Sequence, residues 1–500
     1  MAKFRSDRKR LPLHPLEKAV LIILSLHVCL LPWAIGSMRA FSLAPSLALG
    51  LAGLIVALFP RNYTAAYTGG PDFRLSTWPK LLKFPLFWIG LALLAYVALQ
   101  GFNPSHVWMT NGKVWWARPV EHLVWLPTGV DAPFDRFNVW RQLIIYTSAW
   151  LVLCTVWVGL TRKRSLQLFV TVLVANGVLL SLVGFAQKVF SPQLHPWYPT
   201  QKILGFYDPP LRSAPFATFI GHNQAGAYLV LLAGCALMLA VAFNDQRVLK
   251  MKKSSPASLL VMVVFLLIGA ILVTTSRGAA LTVVSLCCAF SFWYWLRRRV
   301  QPGPSSNWAV TALVVALFLG VGGYSVAKLN FSVIETKFSN LVKTQGRDES
   351  TKDRIHAYAA ASEMLGDHWQ RGVGAGSFRH LFPAYVKKHP EIYKDGKIFW
   401  DHAHNDWLQI PIELGLTGCL ILLSGAGFVI VFLYRHRRGW PSPAIVLLLG
   451  AGQTLMHAWF DFPFQNPAIL TTWLALIVLS LRWLEFEAAA GGGNGASAAS

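Results

Sequence analysis

The sequence predicts an all-α, polytopic membrane protein of about twelve transmembrane helices, with one large outward loop that itself contains helices. Three observations lead there. The 500 residues are 54% hydrophobic and only 13% charged, with a mean hydropathy of +0.46, too apolar for a soluble domain of that length. Runs of roughly 20 apolar residues, enough to cross a ~30 Å hydrocarbon core, recur along the whole chain. The runs are continuous rather than alternating. In lipid a helix satisfies every backbone polar group within its own segment, whereas the strands of a membrane barrel alternate over about 10 residues.

The runs place spans at roughly 17–36, 42–60, 82–100, 141–160, 166–189, 215–243, 258–275, 279–296, 308–328, 407–434, 442–460 and 468–485. Basic residues cluster at 3–10, 61–83, 162–164, 247–253, 297–299 and 435–438, in every second inter-helix loop. Lys and Arg gather in cytoplasmic loops, so both termini are expected in the cytoplasm. On this basis the formal net charge of +23 is a topology signal, and no nucleic-acid partner is expected. The apolar run 19–35 ends without an A-x-A pattern and reads as a first span rather than a removed signal peptide. Cys29, Cys154, Cys235, Cys287, Cys288 and Cys419 all sit in apolar runs and form no C-x-x-C pair, which suits packing residues better than a metal or redox site.

Three segments then face outward. Residues 101–140 are rich in aromatics, with Trp108, Trp115, Trp116, Trp125 and Trp140 suited to a membrane-interface belt. Residues 190–212 are short and proline-rich. The third, 329–404, is the one soluble stretch large enough to fold by itself, and acidic residues are frequent there. Within it Ser350 reads as a helix N-cap with Asp353 three residues on. Ile355, Tyr358, Ala359, Ser362 and Leu365 follow at helical spacing, and the run Gly372-Val373-Gly374-Ala375-Gly376 ends the helix. A phosphate-cradling role for that run lacks the preceding strand it would need. The chain divides into 1–211, holding spans one to five and their outward loops; 212–486, holding the remaining spans and the loop 329–405; and a tail, 487–500. From Ala488 the tail is only Ala, Gly, Asn and Ser, and is expected to be disordered.

Ionisable residues at membrane depth are costly, so each is a candidate functional group. Arg277, in Thr274-Thr275-Ser276-Arg277-Gly278, falls between two nearly continuous spans. It is either a snorkelling helix-end arginine or, with Gly278 permitting close approach, a ligand-binding one. Arg212 closes the second outward segment, ahead of Gly221-His222-Asn223-Gln224. Two arginines at one outward cavity suit a pyrophosphate, because guanidinium offers planar bidentate donors and keeps its charge. Asn223 would orient a sugar or phosphate oxygen, or hydrogen-bond between helices. The densest constellation is Asp401-His402-Ala403-His404-Asn405-Asp406, where the large loop re-enters the membrane. Histidine is suited to taking a proton near neutral pH. A metal site at His402, His404 and a carboxylate is the rival reading, without the i, i+4 spacing of a helical zinc site. His457 and Asp461, four apart on one face, read as a mutual hydrogen bond. His27, Asn176 and Gln187 read as interhelical contacts.

These residues resemble the O-antigen ligase and O-antigen polymerase superfamily, from about Arg212 to the last span. Three stretches carry the resemblance: Arg212-Ser213-Ala214-Pro215-Phe216 leading to Gly221-His222-Asn223; Thr275-Ser276-Arg277-Gly278-Ala279; and His404-Asn405-Asp406-Trp407-Leu408-Gln409 running on to Glu413-Leu414-Gly415-Leu416-Thr417-Gly418. The Asp353-Arg354 helix start and the Gly372-Val373-Gly374 turn also fit; spans one to five carry no matching motif. The resemblance implies an inverting, metal-independent glycosyl transfer without a cofactor. The donor would be a glycan on undecaprenyl pyrophosphate, held at the periplasmic face of a bacterial inner membrane. It implies that Arg212 and Arg277 neutralise the pyrophosphate and that His404 activates the acceptor hydroxyl. His222, Asn223, Asn405 and Arg354 then become substrate-binding candidates. His402 lies two residues before His404, so the choice of base rests on the pairing of His404 with Asn405. The acceptor would be lipid A core in a ligase, another lipid-linked repeat in a polymerase, or a protein. A transporter of an anionic lipid or solute is the alternative of another class, though the two halves show no inverted repeat.

Overall fold

A computed structural model describes residues 12–68, 72–190, 202–210, 213–249, 256–300, 349–393 and 399–492. It is 73% helical. Among the described residues, nine helices are long and apolar enough to cross a membrane and two more are apolar but shorter. In chain order the helices that matter here are α1 (Pro15–Trp33), α2 (Leu43–Leu58), α3 (Pro85–Phe102), α4 (Val139–Gly159), α5 (Lys163–Phe190) and α6 (His222–Leu249). There follow α7 (Ala257–Val273), α8 (Arg277–Val300), α9 (Glu349–His368), α10 (Phe378–Val386), α11 (Asp406–Arg435), α12 (Ala444–His457) and α13 (Pro467–Gly492). All but α9 and α10 correspond to expected spans. The expected span 308–328 and residues 329–348 of the large loop lie outside the described residues, as does Arg212.

One core runs through both halves of the chain, from Val20 of α1 through α4, α5 and α6 to Leu484 of α13. Small residues set the closest approaches, as in membrane bundles, where association depends on van der Waals packing rather than on water exclusion. Where α6 crosses α12, Gly234 and Gly450 face each other, and a Cβ on Gly234 would lie 2.9 Å from the Gly450 Cα. An alanine there would force the two backbones apart.

The segment expected as an aromatic belt also contains a sheet. Strand β1 (Pro104–Thr110) pairs antiparallel with β2 (Trp115–Pro119) and parallel with β3 (Gly129–Asp131). Its hairpin signal was in the sequence: Asn111-Gly112 between two apolar-rich runs, with Gly112 at φ +86°. The aromatic content hid it. A second, two-stranded ribbon joins 61–63 to 73–75 at the other end of the bundle.

Three features define the large loop and its return into the bundle. Helix α9 is already formed at Glu349, so Ser350 lies inside it rather than capping it. The Gly372–Gly376 run forms no phosphate cradle, because its N–H groups are taken up by α11 and α3. Val373 N donates to Ile412 O (2.9 Å), Gly374 N to Glu413 O (3.0 Å), and Ala375 N to the Gln100 side chain (3.0 Å). Third, α11 is broken at Gly415 (φ 62°, ψ −170°), a conformation only glycine adopts at low cost. The break lets the 370–374 chain run against α11, with Leu416 N donating to Gln370 O. At the C-terminus α13 continues to Gly492, past the start of the expected disordered tail, because Ala488-Ala489-Ala490 are strong helix formers.

Candidate active site

The sequence motifs, as far as they fall in the described residues, meet at the end of the bundle that carries the loop. His404 and Asn405 form the entry to α11. Asn405 is the N-cap, its side-chain oxygen accepting from Leu408 N (3.3 Å), and it is 5% exposed. Its amide oxygen is thus engaged by the helix, so what it has left to offer a substrate is the side-chain NH2. Asp406 ties this entry to the turn after α12. Its backbone N donates to Ala458 O (2.9 Å), and its carboxylate accepts from Phe464 N (2.8 Å).

That tie brings Asp461 to His404. The His404 Nδ1 to Asp461 Oδ1 distance is 3.3 Å, whereas His457 Nε2 stands 3.9 Å from Asp461 Oδ2. The expected His457–Asp461 hydrogen bond is thus too long to count as one, and the closer partner of Asp461 is His404. Burial alone would push the Asp461 carboxyl up, but its interactions with His404 and His457 outweigh burial and hold it below the usual carboxylate range. An anionic Asp461 selects the Nδ1–H tautomer of His404 and leaves Nε2 as the acceptor. The backbone adds constraint. His404 sits at φ +52°, a costly conformation for a side-chain-bearing residue. Tyr358 of α9 holds it by donating to His404 O (3.0 Å). The ring meets Trp400 and Phe462 edge-on, and the side chain is 30% exposed.

His402 has a different environment. It is buried and stacked on Phe462 with centroids 4.1 Å apart, and its Nε2 lies 3.1 Å from the Arg379 guanidinium. Burial first, and Arg379 second, hold its pKa well below the ordinary histidine range, so it is neutral. Because arginine only donates, the Nε2 lone pair of His402 is already in use. A metal bound at that nitrogen would have to displace a cation.

Arg277 opens α8 and is exposed. Ser276 caps the helix, accepting from Ala279 N (3.2 Å), and Thr275 before it is at φ +60°. The arginine therefore stands at a capped helix N-terminus, where the backbone dipole also favours anions. Gly278 lies against His457, a Cβ there falling 3.1 Å from the imidazole, and Gly226 of α6 lies against Thr274, Ser276 and Ala279. His222 and Asn223, both half-buried, open α6 one turn before Gly226. Arg354 of α9, also half-buried, donates to Phe460 O (2.9 Å). A continuous set of contacts thus links the α6 start, the 274–279 turn, the 457–462 turn and the α11 entry.

Nothing in the local sequence marks Asp461 as the partner of His404, and nothing marks Arg379. Arg379 pairs with Asp401 (2.8 Å) as well as touching His402. With those contacts in view, residues 262–423, from α7 to the middle of α11, match the family model described as O-Antigen ligase. The matched segment includes Arg277, Arg354, His404 and Asn405. Arg212, His222, Asn223 and Asp461 lie outside it. No curated protein matches the chain.

Proposed function

We propose, from the match of residues 262–423 to the O-antigen ligase family model, that the chain is a membrane glycosyltransferase of that superfamily and transfers a glycan from undecaprenyl pyrophosphate to an acceptor hydroxyl. The acceptor is lipid A core, and the site faces the periplasm of the bacterial inner membrane with both termini in the cytoplasm. The pairing of His404 with Asp461, linked through His457 and Gly278 to the α8 start that bears Arg277, carries this reading.

The roles follow from the chemistry. His404 Nε2 takes the proton of the acceptor hydroxyl while that oxygen bonds to the anomeric carbon. The bond from this carbon to the pyrophosphate oxygen breaks, and the carrier leaves as the pyrophosphate anion with inversion. Asp461 stabilises the imidazolium. Arg277, with Arg212 as its proposed partner, supports the charge that passes to the leaving group, so no metal is required. Arg354, His222 and Asn223 position the glycan. The orientation is supported by the opposite end of the bundle, where Arg61, Arg162, Arg297 and Arg437 lie, as cytoplasmic basic loops would.

The test is reconstitution. Purified protein in liposomes receives glycan-linked undecaprenyl pyrophosphate, together with lipid A core, a second lipid-linked repeat, or a protein acceptor, all in EDTA. The expected result is glycosylated lipid A core. Extended lipid-linked glycan would move the reading to a polymerase, and glycosylated protein to a protein oligosaccharyltransferase. Activity restored only by magnesium or manganese would overturn metal independence. Movement of donor across the bilayer without transfer would make the chain a transporter.

A further inference from the structure

A second cationic site adjoins the 399–402 segment, and nothing in the mechanism above uses it. A cavity of about 470 Å³ is lined by four arginines, Arg39, Arg136, Arg141 and Arg379, against two aspartates, Asp135 and Asp401. The arginines come from three separate stretches of the chain: the link between α1 and α2, the turn that leads into α4 together with its first turn, and α10.

The centre of this site is built rather than incidental. Arg141 is 2% exposed, and its guanidinium donates to carbonyl oxygens, those of Met38 (2.7 Å), Asp135 (3.3 Å) and Phe134 (3.4 Å). Those contacts fix its position without neutralising its charge, and among the described residues its buried Nε has no hydrogen-bond partner. Burying a cation this way is costly unless something compensates it. The Arg141 and Arg379 guanidinium groups both pack on the Phe137 ring, 3.7 and 4.3 Å from its centroid. Phe137 itself is held at φ +65°, and its carbonyl accepts from His380 Nε2 (2.8 Å). Such strain persists where surroundings enforce it, and it clusters at ligand sites.

The remaining wall is aromatic. Trp115 of β2 meets Phe399 edge-on at 5.7 Å and lies nearly parallel to Trp108 at 6.3 Å. Ring faces beside fixed guanidinium forks suit a sugar ring that carries an anionic group, since Arg reads phosphate and carboxylate through paired N–H donors.

We infer that this cavity binds a saccharide bearing a phosphate or carboxylate, seating one glycan substrate beside the His404 loop. The inference rests on the reading of the chain as a glycan transferase, but its test requires no turnover. Binding of glucose 6-phosphate, glucuronate and glucose to purified full-length protein is measured by calorimetry, in wild type, in His404→Ala, and in the double variant Arg39→Gln/Arg136→Gln. Both altered arginines are exposed, so the double variant should fold; Arg379→Gln tests the buried pair where it folds. The expected result is that both charged sugars bind at least about tenfold more tightly than glucose, as charge-assisted hydrogen bonds imply. That preference should shrink in the arginine variants and persist in His404→Ala. Equal binding of glucose and glucose 6-phosphate would overturn the inference, as would full preference in the double variant. Undecaprenyl pyrophosphate in micelles is a further arm. If the double variant weakens that lipid and leaves glucose 6-phosphate unaffected, the arginines belong to the donor headgroup and the saccharide assignment fails.

Discussion

His404→Ala lowers turnover by roughly 10²–10⁴-fold, the range removed with a general base, while binding of the lipid-linked donor changes little. The asymmetry follows from the site. In the proposed mechanism the base reaches the acceptor through Nε2, and the arginines are assigned to the pyrophosphate. His402→Ala is far milder in turnover, because its Nε2 already accepts from Arg379 and its ring is packed under Phe462. Its cost falls on the stability of the loop. Asp461→Asn moves in the same direction as His404→Ala, since an amide can offer the Nδ1 side a donor and so favour the wrong tautomer. Turnover is measured at saturating donor and acceptor. An active His404→Ala with a dead His402→Ala would move the base two residues back. Activity in both would remove histidine from the mechanism.

Arg277→Lys costs roughly tenfold to a hundredfold in transfer, the worth of about one charge-assisted hydrogen bond. The charge remains at the α8 N-terminus, but the planar fork that matches two phosphate oxygens is lost. Membrane insertion should be unaffected, because Arg277 is exposed at a helix start and lysine snorkels as well as arginine. The loss should fall on kcat if the fork acts mainly as charge develops on the leaving pyrophosphate, and on the donor KM if it acts mainly in binding. Wild-type kinetics in Arg277→Lys would leave the residue as a helix-end anchor.

The bundle was readable because lipid imposes one rule on every span, and continuous apolar runs obey it visibly. The sheet at 104–131 was less so, since its aromatic residues served an interface belt equally well and only Asn111-Gly112 marked a hairpin. The site was legible in its local motifs, where Ser276-Arg277-Gly278 and His404-Asn405 stand out as polar groups at span ends. Its long-range pairings were not. Asp461 is four residues from His457, so helical spacing favoured that partner. The ties of Asp406 to the turn after α12, one from its backbone N and one to its carboxylate, help bring Asp461 to His404 instead. Arg379 and Arg141 carried no local signal at all, because an arginine after a glycine-rich turn and one in the first turn of a span are both ordinary. Their meeting around Phe137 depends on packing between segments more than 200 residues apart.

The anomeric configuration of the newly formed linkage tests the central claim most directly. Product made from a donor of known configuration is examined by NMR, with His404→Ala as the control. A single displacement by a hydroxyl deprotonated at His404 predicts inversion at the anomeric carbon. Retention would require a covalent glycosyl intermediate on the protein and would contradict the mechanism.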